Sequence, residues 1–80
     1  MLKPAFKSEI EQYVINRVRE KRIAAGMTQA SLAIEVGLSP GFIGHVESLK
    51  HRAKYNLNHL NDFSKLFKCD FQEFFPKSPL

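Results

Sequence analysis

The sequence has no tryptophan and a single cysteine. Cys69 has no second thiol, so no internal disulfide can staple the fold. His45, His51 and His59 lie far apart and, with one cysteine, offer no zinc-ligand spacing; no metal or other cofactor is expected. No apolar run approaches the ~20 residues that cross a membrane. The start, Met-Leu-Lys-Pro-Ala-Phe-Lys, lacks the apolar segment of a secretory signal, so a cytoplasmic protein with no membrane partner is expected. The apolar–polar alternation of strands is missing, as are repeats and low-complexity tracts. There is no Ser/His/Asp or Cys/His arrangement and no phosphate-cradling glycine loop, so no enzymatic activity is expected.

Eighty residues make one domain, near the small end of what folds without staples. Its core must be aliphatic and aromatic, and seven Phe can supply it. Twelve Lys and Arg against eight Asp and Glu leave a net charge of +4, which favours an anionic partner. The distribution says more. Lys50, His51, Arg52 and Lys54 cluster with no acid among them, and Arg17, Arg19, Lys21 and Arg22 lie on one predicted helix. Such charge also serves simply to keep a small domain soluble.

The pattern predicts an all-α domain of five helices around one core. Residues 1–7 read as a loose N-terminal arm containing Pro4. Ser8 and Glu11 match a capping box, so the first helix starts at Glu9 and runs to Gly26. Ile10, Val14, Val18 and Ala25 mark its apolar face; Tyr13 and Ile15 fall off that stripe, as a dimer surface or ordinary exposed area. Residues 26–47 read as two short helices around a tight turn. The first runs from about Gln29 to Val36 with Thr28 as N-cap, and Gly37 takes the left-handed position. Ser39 is expected to cap the second, with Pro40 in its first turn. Leu32, Val36, Leu38, Ile43 and Val46 are spaced to pack the pair together. This is a helix-turn-helix, which in a small basic protein points to DNA. Leu49–Tyr55 follows as an irregular basic loop. Asn56 caps a fourth helix with Leu57, Leu60, Phe63, Leu66 and Phe67 on its face. Asp70 and Glu73 open a short fifth helix that Pro76 stops, and Phe74 or Phe75 is expected to face a partner subunit. The domain thus spans 8–76, with 77–80 as a frayed tail. Cys69 reads as a small apolar spacer, not a nucleophile.

The run Arg17-Val18-Arg19-Glu20-Lys21-Arg22-Ile23-Ala24-Ala25-Gly26-Met27-Thr28-Gln29 resembles the entry to the lambda repressor/Cro-like helix-turn-helix domain, the XRE family. The likeness continues through Leu32-Ala33, Val36-Gly37, Ile43 and Glu47, and resumes with Leu57, Leu60, Phe63, Phe67, Phe71 and Phe74. It covers roughly residues 14–75. It implies a five-helix lambda-repressor-like domain acting as a sequence-specific DNA-binding transcriptional regulator and homodimer, with a recognition helix at about 40–48 in the major groove of double-stranded DNA. It further implies that Gln29 fastens to a phosphate, and that Arg22 and Glu47 form a partly buried structural salt bridge. Pro40, Gly41 and His45 fall at base-reading positions.

Here the chain departs from the family pattern. Bidentate base readout needs Arg, Lys, Asn or Gln, and none occurs from Ser39 to Leu49. His45 alone carries a polar group suited to a base edge. Phe42 either touches a thymine methyl or packs inward. Gly41 and Gly44 would let the helix backbone approach DNA closely. Lys50, Arg52 and Lys54 are placed to neutralise phosphates, with His51 and Tyr55 adding hydrogen-bonding groups. Ser39 and Asn56 are caps first and DNA contacts second. The sparse reading face also admits a rival: a protein-interaction module, or the antitoxin of a toxin–antitoxin pair, with a protein as partner.

Overall fold

Reciprocal side-chain caps set most of the helix starts in the computed structural model, which describes residues 6–80. Helix α1 (Glu9–Ala24) opens where Ser8 Oγ accepts the Glu11 N–H at 3.2 Å and Glu11 Oε1 accepts the Ser8 N–H at 2.7 Å. Thr28 and Ser31 exchange the same pair of bonds, at 3.0 and 2.9 Å, to open α2 (Gln29–Glu35). Asn56 and His59 do so at 2.9 and 3.0 Å to open α4 (Leu57–Phe67). Two helices also share one way of ending. Gly26 and Gly37 have φ of 71° and 75°, and the Met27 and Leu38 N–H groups reach back to the Arg22 and Ala33 carbonyls at 3.1 and 2.8 Å. These are Schellman stops, which need a left-handed residue.

Helix α3 (Phe42–Glu47) starts differently, and the expected Ser39 cap is corrected here. The Phe42 N–H bonds the Ser39 carbonyl at 3.0 Å, so residues 39–41 close a turn and Gly41 takes the N-cap position without a side-chain bond. Pro40 therefore precedes the helix. The fifth helix is also corrected: after α4 comes a four-residue 3-10 helix, Phe71–Phe74. Phe75 precedes Pro76, which disfavours α geometry, and it is extended at φ −114°, ψ 150°. Too few residues remain for an i→i+4 ladder, and the Phe75 N–H bonds Gln72 instead.

Val18, Leu32, Ala33, Ile43, Phe63 and Phe74 are fully buried and join all five elements in one core. Three sequence expectations change at this level. Ile15 is buried at 2 % exposure, while Ile10 is 38 % exposed and Ala25 lies on the surface. The buried arc of α1 is thus Val14, Ile15, Val18 and Arg22, rotated from the predicted stripe. Phe74 is interior and cannot face a partner; Phe71 is the more exposed ring, at 37 %. Lys7, expected in a loose arm, is buried at 8 % exposure, and its ammonium donates to the Ser48 and His51 carbonyls. Residues 1–5 of that expected arm lie outside the described residues. Among the described residues no helix is long and apolar enough to cross a membrane.

The α4 cap makes stability pH-dependent. His59 Nδ1 accepts the Asn56 N–H, which requires that nitrogen to be unprotonated. Burial holds the His59 pKa below the usual 6.5, against a smaller opposing pull from Asp62. A depressed folded-state pKa means that the unfolded chain binds the proton more readily. The stabilisation is therefore complete above the unfolded value and is lost as pH falls through the folded one. Melting temperature should fall between pH 7.5 and about 5, and His59→Gln, which keeps an acceptor for Asn56, should flatten that slope. Equal slopes in both proteins would place the acid sensitivity elsewhere.

Candidate nucleic-acid interface

Ile43 and Val46 bury one side of α3, at 0 % and 1 % exposure, and so fix which residues the helix presents outward. Pro40, Gly41 and His45 are exposed, and Gly44 is half-buried. Phe42 turns inward: its ring packs against the core and lies 4.9 Å from the His59 ring and 6.2 Å from that of Tyr55. Of the two readings for Phe42, the geometry matches packing.

A polar cluster ties α3 to the other helices. Arg22 Nη2 lies 2.9 Å from Glu47 Oε1, and Arg22 Nε lies 3.1 Å from Glu47 Oε2, a two-pronged fork. Both side chains are nearly buried, at 10 % and 5 % exposure. Arg22 Nη1 also donates to the Met27 carbonyl at 2.9 Å, so one guanidinium joins the end of α1, the loop before α2 and the end of α3. Glu47 Oε1 accepts as well from Gln29 Nε2 at 2.9 Å, with Arg19 Nε at 3.7 Å.

Gly44 has a local reason that the sequence did not reveal. A Cβ there would lie 3.0 Å from Gln29 Oε1, so the bare helix surface leaves room for Gln29 to cross to Glu47. The space expected for DNA at Gly44 is thus filled by Gln29. At Gly41 a Cβ would meet only His45 Cε1, at 3.9 Å.

The loop after α3 brings further predicted residues together. The His45 and His51 rings stack 4.2 Å apart and 5° from parallel. His51 Nδ1 accepts the Ala53 N–H at 3.1 Å, which anchors the partner ring in the loop backbone. Lys50 is exposed, and its N–H bonds Ser48 Oγ at 3.2 Å. The Arg52 guanidinium lies 5.4 Å from the centre of the Phe6 ring. Lys54 is paired with Glu11 of α1 at 2.9 Å. Tyr55 is corrected as a surface donor: its hydroxyl is buried without a hydrogen-bond partner, and desolvation raises its pKa. Cys69 is half-buried, and burial raises its thiol pKa, the opposite of what activates a nucleophile.

Lys7 was missed as part of this surface. Its ammonium bridges the residue after α3 to the basic loop, across sequence separations of 41 and 44 residues. No local pattern signals such a contact. Desolvation by burial lowers its pKa, and nearby Lys54 lowers it further.

No family model matches the chain, and no curated protein matches it in sequence. Solved structures do. The restriction-modification controller protein C.AhdI from Aeromonas hydrophila is 27 % identical, with a TM-score of 0.66 over 79 % of this chain and 92 % of that one. The hypothetical transcription factor NHTF from Neisseria is 17 % identical, with a TM-score of 0.73 over 95 % of this chain and 87 % of that one. Hydroxypropylphosphonic acid epoxidase from S. wedmorenis is 15 % identical, with a TM-score of 0.74, but the match takes in only 38 % of the epoxidase. These last two likenesses, at 17 % and 15 % identity, are of fold alone. The chain is an all-α helix-turn-helix domain whose fold is shared, over most of both chains, with a controller protein and a hypothetical transcription factor.

Proposed function

We propose that this chain is a sequence-specific DNA-binding transcriptional regulator of the lambda repressor/Cro-like (XRE) kind, acting in the cytoplasm as a homodimer. One observation carries the reading. The Arg22–Glu47–Gln29 cluster locks α3 to the scaffold, exposed Pro40 and Gly41 lead into it, and its exposed His45 stacks on His51 of the loop that carries Lys50 and Arg52. A rigid helix with a bare face beside a basic loop suits the major groove and its flanking phosphates. The names of the controller protein and of NHTF support the same reading.

In this assignment two copies present α3 to half-sites about 34 Å apart. His45 reads a base edge, and Gly41 lets the helix start approach the groove. Lys50 and Arg52 face phosphates, and Lys54 does so in competition with Glu11, with His51 steadying His45 and Ser39 contributing at the turn. Gln29 spends one amide N–H on Glu47, and the second is left for a phosphate. Base contacts are few, so DNA shape and backbone contacts take a larger share of recognition.

Titration of random duplex DNA at several salt concentrations, followed by site selection, tests the proposal. Lys50→Ala and Arg52→Ala should each lower the slope of log K against log salt by about 0.9, with sequence preference unchanged. An unchanged slope with a shifted preference would count against phosphate contact. The absence of bidentate readers from Ser39 to Leu49 favours a second reading, a protein-binding surface such as an antitoxin's. Under that reading site selection returns no preferred sequence.

A further inference from the structure

Glu11 uses its two carboxylate oxygens for different purposes. Oε1 accepts the Ser8 N–H at 2.7 Å and completes the α1 cap. Oε2 pairs with Lys54 Nζ at 2.9 Å, on the loop that follows α3. Both side chains are partly exposed, Lys54 at 42 % and Glu11 at 35 %, so the pair stands at the surface where a competing anion can reach it. Lys7 is the third member. Its ammonium is anchored on the Ser48 and His51 carbonyls, feels repulsion from Lys54 and attraction from Glu11. The hydrogen bonds that Glu11 accepts from Ser8 and Lys54 keep its carboxyl below the usual range, so it is charged at neutral pH.

At Lys54 the carboxylate supplies the anionic partner of the ammonium. We propose that Glu11 is an internal competitor for DNA: it occupies Lys54 in place of a backbone phosphate and so weakens binding to every sequence. The proposal rests on the DNA-binding reading above. Without the carboxylate, the Lys54 ammonium is left without its ion partner and open to a phosphate. The contact recovered is with the backbone, so the gain falls on specific and non-specific DNA alike.

Glu11→Gln tests this cleanly, because the amide oxygen still accepts the Ser8 N–H while the charge is gone. On random duplex DNA at low salt, Glu11→Gln should bind about twofold to fivefold more tightly than wild type. The gain should shrink as salt rises and vanish in a Lys54→Gln background. Lys54→Gln alone should weaken binding less than Lys50→Ala, since its cation is already engaged. A gain of equal size in both backgrounds would mean that only net charge matters, and would overturn the proposal. So would unaltered affinity of Glu11→Gln, or a loss in Lys54→Gln as large as that in Lys50→Ala. If wild type binds no duplex, the DNA reading falls and the competitor falls with it; if wild type binds and the variants show no such pattern, only the competitor falls.

Discussion

Glu47→Ala should be the most damaging single change at the candidate site, lowering stability by about 3–5 kcal/mol. It strips the Arg22 guanidinium of both prongs of its fork and leaves a nearly buried cation with only the Met27 carbonyl. Arg22→Ala should cost less, toward the lower end of that range, because Glu47 keeps Gln29 at 2.9 Å and Arg19 at 3.7 Å. The asymmetry follows from partner counting: an uncompensated buried charge is what makes breaking such a pair expensive. The double variant should fall well short of the two single losses added together, because each single already destroys the interaction. Thermal or denaturant melts of the three proteins measure this. If both singles melt like wild type, the fork contributes nothing to holding α3. DNA-binding preference should change less than stability, since neither side chain faces outward.

What was legible in the sequence is what local chemistry decides. The Ser8–Glu11 box, the Thr28 and Asn56 caps, and the left-handed stops at Gly26 and Gly37 each depend on residues within a few positions. Ser39 shows the limit even of local signals. It has the side chain of a cap, but Pro40 and Gly41 extend the turn, and the serine serves through its carbonyl. The rotation of the α1 stripe, with Ile15 in and Ile10 partly out, depends on where the chain's other elements lie, which periodicity alone does not encode. The same holds for the polar contacts. Gln29 with Glu47, Glu11 with Lys54, and Lys7 with the carbonyls of Ser48 and His51 join residues separated by 18 or more positions. Resemblance pointed to Arg22 with Glu47, and the structure brings that pair together. The basic loop looked acid-free along the chain, yet an acid reaches it from α1. A charge count along sequence therefore overstated how many cations stand ready for an anion.

His45→Ala should relax preference at one base pair of each half-site by about 1–3 kcal/mol while leaving non-specific affinity nearly intact. The expectation follows from exposure and neighbours. His45 is exposed on α3 next to Gly41, and no other residue from Ser39 to Leu49 has the side chain for bidentate reading. Its ring lies flat against His51 at 4.2 Å, and His51 Nδ1 in turn accepts the Ala53 N–H. A side chain already held in place loses less freedom on reaching a base, so part of its discrimination comes from the stack. His51→Ala should therefore lose some of the preference at the same base pair, though His51 itself need touch no base. Selection of preferred sites by wild type, His45→Ala and His51→Ala separates the readings. Coincident losses at one position identify a supported reader. A loss confined to His45→Ala would make the stack incidental. Identical preferences in all three proteins would remove His45 as a reader, and would leave the smooth face of Pro40 and Gly41 to a protein partner.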